Sequence, residues 1–197
     1  MDAGGRAAER FGPEPRGLNT VSPPPLRQAT ASTTRLAQRA SSFILKPVTP
    51  FVTTGGAFLF TILYADLMFD LQVLGHGGPE LPEGVLASIS NYYRRVTVEA
   101  RPLNRLVVAV MVGTLAAIVL QLAGDDVPGW VGLTSLVLAG LPILLAAVHT
   151  FPTAVRLGLR AEPLEVQSRL ARSICRDHLL CLVAITSLLA VELGFGR

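Results

Sequence analysis

The stretch Val48 to Leu74, VTPFVTTGGAFLFTILYADLMFDLQVL, decides how the rest of the chain must be read. At about 1.5 Å per residue, a hydrocarbon layer of roughly 30 Å is crossed by about 20 helical residues, and this stretch is long and apolar enough to do so. Pro50 suits a first helical turn, where its missing N–H forfeits no hydrogen bond. Gly55 and Gly56 would let another helix approach closely. The stretch also carries two carboxylates, Asp66 and Asp70. With entry near Phe51, Asp66 lies about 22 Å into the layer and Asp70 about 28 Å, at the far interface. An ionised acid at the depth of Asp66 is costly unless water, a proton or a cation meets it. The i, i+4 spacing sets both acids on one stripe of the helix, so that stripe faces the protein interior near one surface. Three arrangements satisfy the constraint: pairing with interfacial arginines, a proton, ion or substrate site, and a helix that ends early and leaves Asp66 in water.

Three more apolar blocks follow, giving expected spans at 48–74, 103–124, 130–148 and 178–195. The middle of the second, Leu106 to Leu120, holds no charge. Asp125-Asp126-Val127-Pro128-Gly129 is short enough to make spans two and three an antiparallel hairpin. Trp130 is placed as an interfacial anchor. Pro142 is expected to kink the third span and free the carbonyl of Leu138. His149 closes that span, where a cation complements a helix C-terminus. Glu192 stands near the end of the fourth.

Composition agrees with this reading. Half of the 197 residues are hydrophobic, 16% are charged and the mean hydropathy is +0.49, which favours one membrane domain, 48–197, over soluble domains. Residues 1–47 form a polar extension. Met1 to Pro25 lacks apolar periodicity and is expected to be disordered. Leu26 to Lys46 has no acidic residue and repeats Leu26, Ala29, Thr33, Leu36, Ala40 and Phe43 at helical spacing. It reads as a basic helix on an anionic membrane surface, a transit peptide or a linker. Cys175 and Cys181, about 9 Å apart along one helix, are predicted to be free thiols.

Both long loops contain amphipathic segments. Val85, Ile89, Tyr92, Val96 and Ala100 share one helix face, which suggests a helix lying on the membrane with Tyr92 or Tyr93 at headgroup level. Pro163 can start a helix carrying Val166, Leu170 and Ile174 that runs on into the fourth span. The expected fold is therefore all-α: an integral membrane four-helix bundle with amphipathic surface helices in the two long loops. Nine arginines, Arg94, Arg95, Arg101, Arg105, Arg156, Arg160, Arg169, Arg172 and Arg176, flank those loops, against Arg35, Arg39, Lys46 and Arg197 near the other side. The positive-inside rule then puts the loops in the cytoplasm, in a plasma or inner membrane, with the mitochondrial inner membrane as the alternative.

This topology gathers Asp66, Asp70, His76, Tyr92, Tyr93, Asn104, His149, Asp177 and His178 at one leaflet. Asp66, His149 and His178 lie in or at the apolar blocks and are the candidates for acid–base chemistry. Asp70, Arg94, Arg95, Arg105, Arg156 and Arg160 are candidates for ligand or lipid-headgroup contacts. Carboxylate and imidazole suit a divalent metal, but no HxxxH, ExxH or HxH spacing supports one, so no metal site is assigned and the cofactor is left open. No P-loop, GxGxxG, GxSxG or HExxH occurs. No aromatic-interleaved basic patch suits nucleic acid. The expected partners are the bilayer and other membrane subunits or further copies of the chain. The first functional reading is a non-enzymatic accessory or assembly subunit. The alternative is a small membrane enzyme acting on a lipophilic substrate through Asp66, His149 and His178. Ion movement is disfavoured by the uncharged middles of spans two and three. In length and span order alone the layout is similar to the small four-span anthrone-oxygenase-like membrane proteins; no motif matches residue by residue, and no site residue is carried over.

Overall fold

Prolines set where the helices begin. Pro82, Pro128 and Pro163 each stand immediately before a helix, and Pro102 lies in a first turn, where an N–H would have no acceptor within the helix. The computed structural model describes residues 48–124 and 127–196; the expectations for residues 1–47 and for the Asp125-Asp126 turn fall outside them. Every regular element among the described residues is helical. Helix α1 (Val48–Asp70) continues into a tighter turn, Leu71–Gly75. Helix α2 (Glu83–Arg94) continues into a wide π turn, Arg95–Glu99, before α3 (Arg101–Ala123). Helix α4 (Gly129–Leu145) passes through a second π turn, Ala146–Thr150, into α5 (Phe151–Leu159), and α6 runs unbroken over Leu164–Phe195.

One expectation about ends is corrected. His149 does not close the third long helix, which passes through the π turn and ends at Leu159. The helix expected to start at Pro163 and run on into the fourth span is observed, unbroken from Leu164 to Phe195. Pro142 stays inside α4, and the departure from α-helical register comes just after it, at Ala146–Thr150.

Four stretches, Val48–Gly75, Pro102–Ala123, Gly129–Leu159 and Leu164–Phe195, are long and apolar enough to cross a membrane. Only 22% to 28% of their most apolar windows is buried inside the protein. Phe51, Met68, Val112, Leu133, Leu141 and Val183 are among the large apolar residues left exposed on these stretches. Apolar surface of this extent suits acyl chains and not water.

The long helices neighbour one another in the order α1, α3, α4, α6 and back to α1. Their core contains Val52, Leu59, Ala117, Ile118, Ala139, Ile185 and Leu188. Gly55 and Gly56 permit the close approach: a Cβ on Gly55 would overlap Thr114 Oγ1, and one on Gly56 would fall 3.0 Å from Leu189 Cδ2. A second core joins α2, α5 and the first half of α6 through Leu86, Ile89, Tyr93, Ala154, Leu157, Ala171 and Ile174. The buried stripe of α2 thus rests on protein, on α5 and α6, where a helix lying on lipid was expected. At the crossing of α2 and α5 a Cβ on Gly158 would lie 2.9 Å from Arg94 N. Residues 76–82 are tied to α6, with Leu81 N–H donating to Ser168 Oγ at 3.0 Å and Arg172 to the carbonyl of Pro79 at 3.0 Å.

The two glycine contacts differ in what could yield. Gly55→Ala meets a side chain and Gly158→Ala meets backbone, so both are expected to destabilise by about 1–3 kcal/mol. Adding Thr114→Ala should restore most of the loss for Gly55→Ala, as read by thermal unfolding in detergent, and no single side-chain truncation should do so for Gly158→Ala.

Candidate functional site

Asp70 is fully buried at the C-terminal end of α1. Its Oδ1 accepts a hydrogen bond from the Tyr93 hydroxyl at 2.7 Å, and its Oδ2 lies 2.7 Å from His178 Nδ1. A carboxylate can only accept, so Nδ1 carries the proton and donates it. One turn earlier, Asp66 Oδ1 accepts from the Tyr92 hydroxyl at 2.5 Å. Asp66 Oδ2 stands 3.9 Å from His178 Nε2, beyond hydrogen-bond range. The carboxylates of α1 are therefore met by two neighbouring phenols of α2 and one imidazole of α6. Neither meets an arginine among the described residues. The pairing with interfacial arginines is replaced by these contacts because Tyr92 and Tyr93 come off the protein-facing stripe of α2. Asp70 itself has no exposed surface.

The phenols' own chemistry follows from this placement. Burial first, then the charge of Asp66 and the hydrogen bond to it, push the Tyr92 phenol far above its ordinary value of 10.0. Burial first, then the charges of Asp70 and Asp66, push Tyr93 the same way. Both remain O–H donors toward the carboxylates.

Above this cluster lies a cavity of about 280 Å³ between the two cores. Asp66, Tyr92, Tyr93, Thr97, Asn104, Thr150 and His178 line one end, and Leu59, Ile62, Leu63, Val107, Met111, Ile143 and Ile185 much of the rest. Both π turns reach it, through Val96 and Thr97 and through Ala146 and Thr150. Such turns displace side chains from helical register and recur at functional sites. Ala65 of α1 and Leu103 of α3 also line the cavity, and both are exposed.

The structure brings Asp66 and His178 together but sends His149 elsewhere. His149 Nδ1 lies 2.6 Å from Asp177 Oδ2, which also accepts from Thr150 Oγ1 at 3.2 Å, and His149 is absent from the cavity wall. Of the arginines singled out, Arg94 pairs with Glu99, Arg156 with Glu162 and Arg160 with Glu83. Arg95 and Arg105 are exposed. No group of three or more His, Cys, Asp or Glu able to hold a metal occurs among the described residues.

Sequence reasoning missed Tyr92 and Tyr93 as partners of the acids, and a second polar cluster at the opposite end. There, buried Glu192 accepts from Ser135 Oγ at 2.5 Å and from Gln121 Nε2 at 3.1 Å. The available signal was the rarity of such side chains in apolar blocks.

Two predictions follow from the buried acids. Asp70→Ala leaves Tyr93 and His178 without their acceptor and is expected to cost about 3–5 kcal/mol, whereas Asp66→Asn keeps an acceptor for Tyr92 and is expected to cost less than about half of that, by chemical denaturation. The raised phenols make stability complete below pH 10 and progressively lost as the pH rises beyond it, because the unfolded chain releases these protons first. Tyr92→Phe should flatten that alkaline slope, measured as unfolding midpoint against pH.

Comparison of the chain with family models, with curated proteins and with solved structures finds no match.

Proposed function

We propose that the chain is a four-span membrane bundle whose cavity binds a lipophilic small molecule and exchanges a proton with it at His178. The observation that carries this reading is the state of the imidazole. Its Nδ1–H is held by buried Asp70, and its Nε2, with no hydrogen-bond partner among the described residues, stands at the cavity wall beside Asp66. An orienting carboxylate on one ring nitrogen leaves the other as a base of defined direction. A proton leaving a ligand O–H or N–H would pass to Nε2, its bonding electrons staying on the ligand, and Asp70 and Asp66 would balance the imidazolium. His149 has no part in this scheme. Entry from the side, between α1 and α3, suits a ligand dissolved in the bilayer. The two long loops are proposed to close the site on the cytoplasmic face, with the arginines around them meeting lipid headgroups.

An accessory-subunit role has less support, because Gly55 and Gly56 are occupied by helices of the same chain. The test uses 1-aminoanthracene, a neutral aromatic fluorophore that brightens in apolar cavities. Purified protein is expected to bind it saturably, and Met111→Trp, which fills the cavity, to abolish the saturable part. Equal signals from a stably folded Met111→Trp variant would overturn the reading and favour the accessory role.

A further inference from the structure

We infer that the ligand of this cavity is a lipophilic cation, an ammonium group carried on an apolar body; the inference rests on the cavity being a binding site. The first ground is the charge inventory. The wall holds Asp66 and His178, Asp70 stands directly behind His178, and among the described residues no lysine or arginine lines the cavity. With both acids ionised, a protonated His178 leaves one negative charge in excess and a neutral one leaves two. The phenols of Tyr92 and Tyr93 donate to the carboxylates and neutralise neither.

The arginines Arg94, Arg156 and Arg160, which could supply the missing charge, pair outside the cavity with Glu99, Glu162 and Glu83. In a low-dielectric setting an uncompensated carboxylate repels an anionic ligand, gains nothing from a neutral one and is satisfied by a cation.

The second ground is independent of charge counting. His178 is 7% exposed, and its Nε2 reaches the cavity without a hydrogen-bond partner among the described residues. Tyr92, Tyr93 and Phe151 line the same cavity. Tyr92 is fixed in place, stacked on Phe69 with centroids 4.1 Å apart and donating to Asp66. Aromatic side chains together with a carboxylate form the environment that receives quaternary and protonated amines. A protonated amine also completes the proton exchange in balance. Its N–H bond breaks, the proton passes to Nε2, the electron pair stays on nitrogen, and a neutral amine is left that dissolves in lipid.

The test compares benzyltrimethylammonium with neopentylbenzene, which has the same shape and no charge, binding to the purified full chain at matched free concentrations. The cation is expected to bind about tenfold or more tighter, and Asp66→Asn to bring the ratio between the two compounds toward one. If both compounds bind the wild-type protein equally, the cation inference fails and the apolar-cavity reading stands. If neither binds and 1-aminoanthracene does not either, both fail. Should Asp66→Asn not fold, the ratio between the two compounds on the wild-type protein still decides.

Discussion

A carboxylate with no solvent exposure must be met by donors, and Asp70 draws three helices together to satisfy that need. It belongs to α1, and its partners Tyr93 and His178 belong to α2 and α6. Each hydrogen bond to a charged acceptor gains only a little net stability, but leaving such an acceptor bare in an apolar interior costs much more. The asymmetry makes the arrangement specific. A sliding of α1 along α6, or a rotation of α2, would strand the acid, so register and rotation of all three helices are defined together.

The cavity lies where the two cores meet. Leu59 and Ile185 of the long-helix core and Tyr93 and Ala154 of the second core all contribute to its wall. The long helices are drawn close near Gly55 and Gly56, while the π turns at Arg95–Glu99 and Ala146–Thr150 shift side chains at the other end. Tight packing at one end and irregular helix at the other leave room for a ligand without loosening the whole. At the tight end Glu192, Gln121 and Ser135 tie α6 to α3 and α4, so each end has its own buried acid. The acid at the tight end is closed off by packing, and the acid at the wide end faces a space.

The four apolar blocks, their helical character and the helix start at Pro163 were legible in the sequence, because they depend on neighbours a few residues apart. So was the unusual status of Asp66, since an acid deep in an apolar block costs free energy whatever surrounds it. The continuation of the third helix through His149 was not legible, because a π turn is a small departure whose cost is met by tertiary contacts of Thr150 and Asp177.

Hydropathy and spacing along the chain determined that there are four long apolar helices and that one stripe of α1 carries acids needing partners. Only the tertiary structure decided which partners those are. Tyr92, Tyr93 and His178 are distant from Asp66 and Asp70 in sequence, and many polar residues near the same end could have met them. The choice rests on α2 packing against α5 and α6, on Gly158 admitting the backbone of Arg94, and on the rotation of α6 that turns His178 inward and Asp177 toward His149. Those are properties of shape between surfaces, which a one-dimensional pattern of polar and apolar residues does not encode.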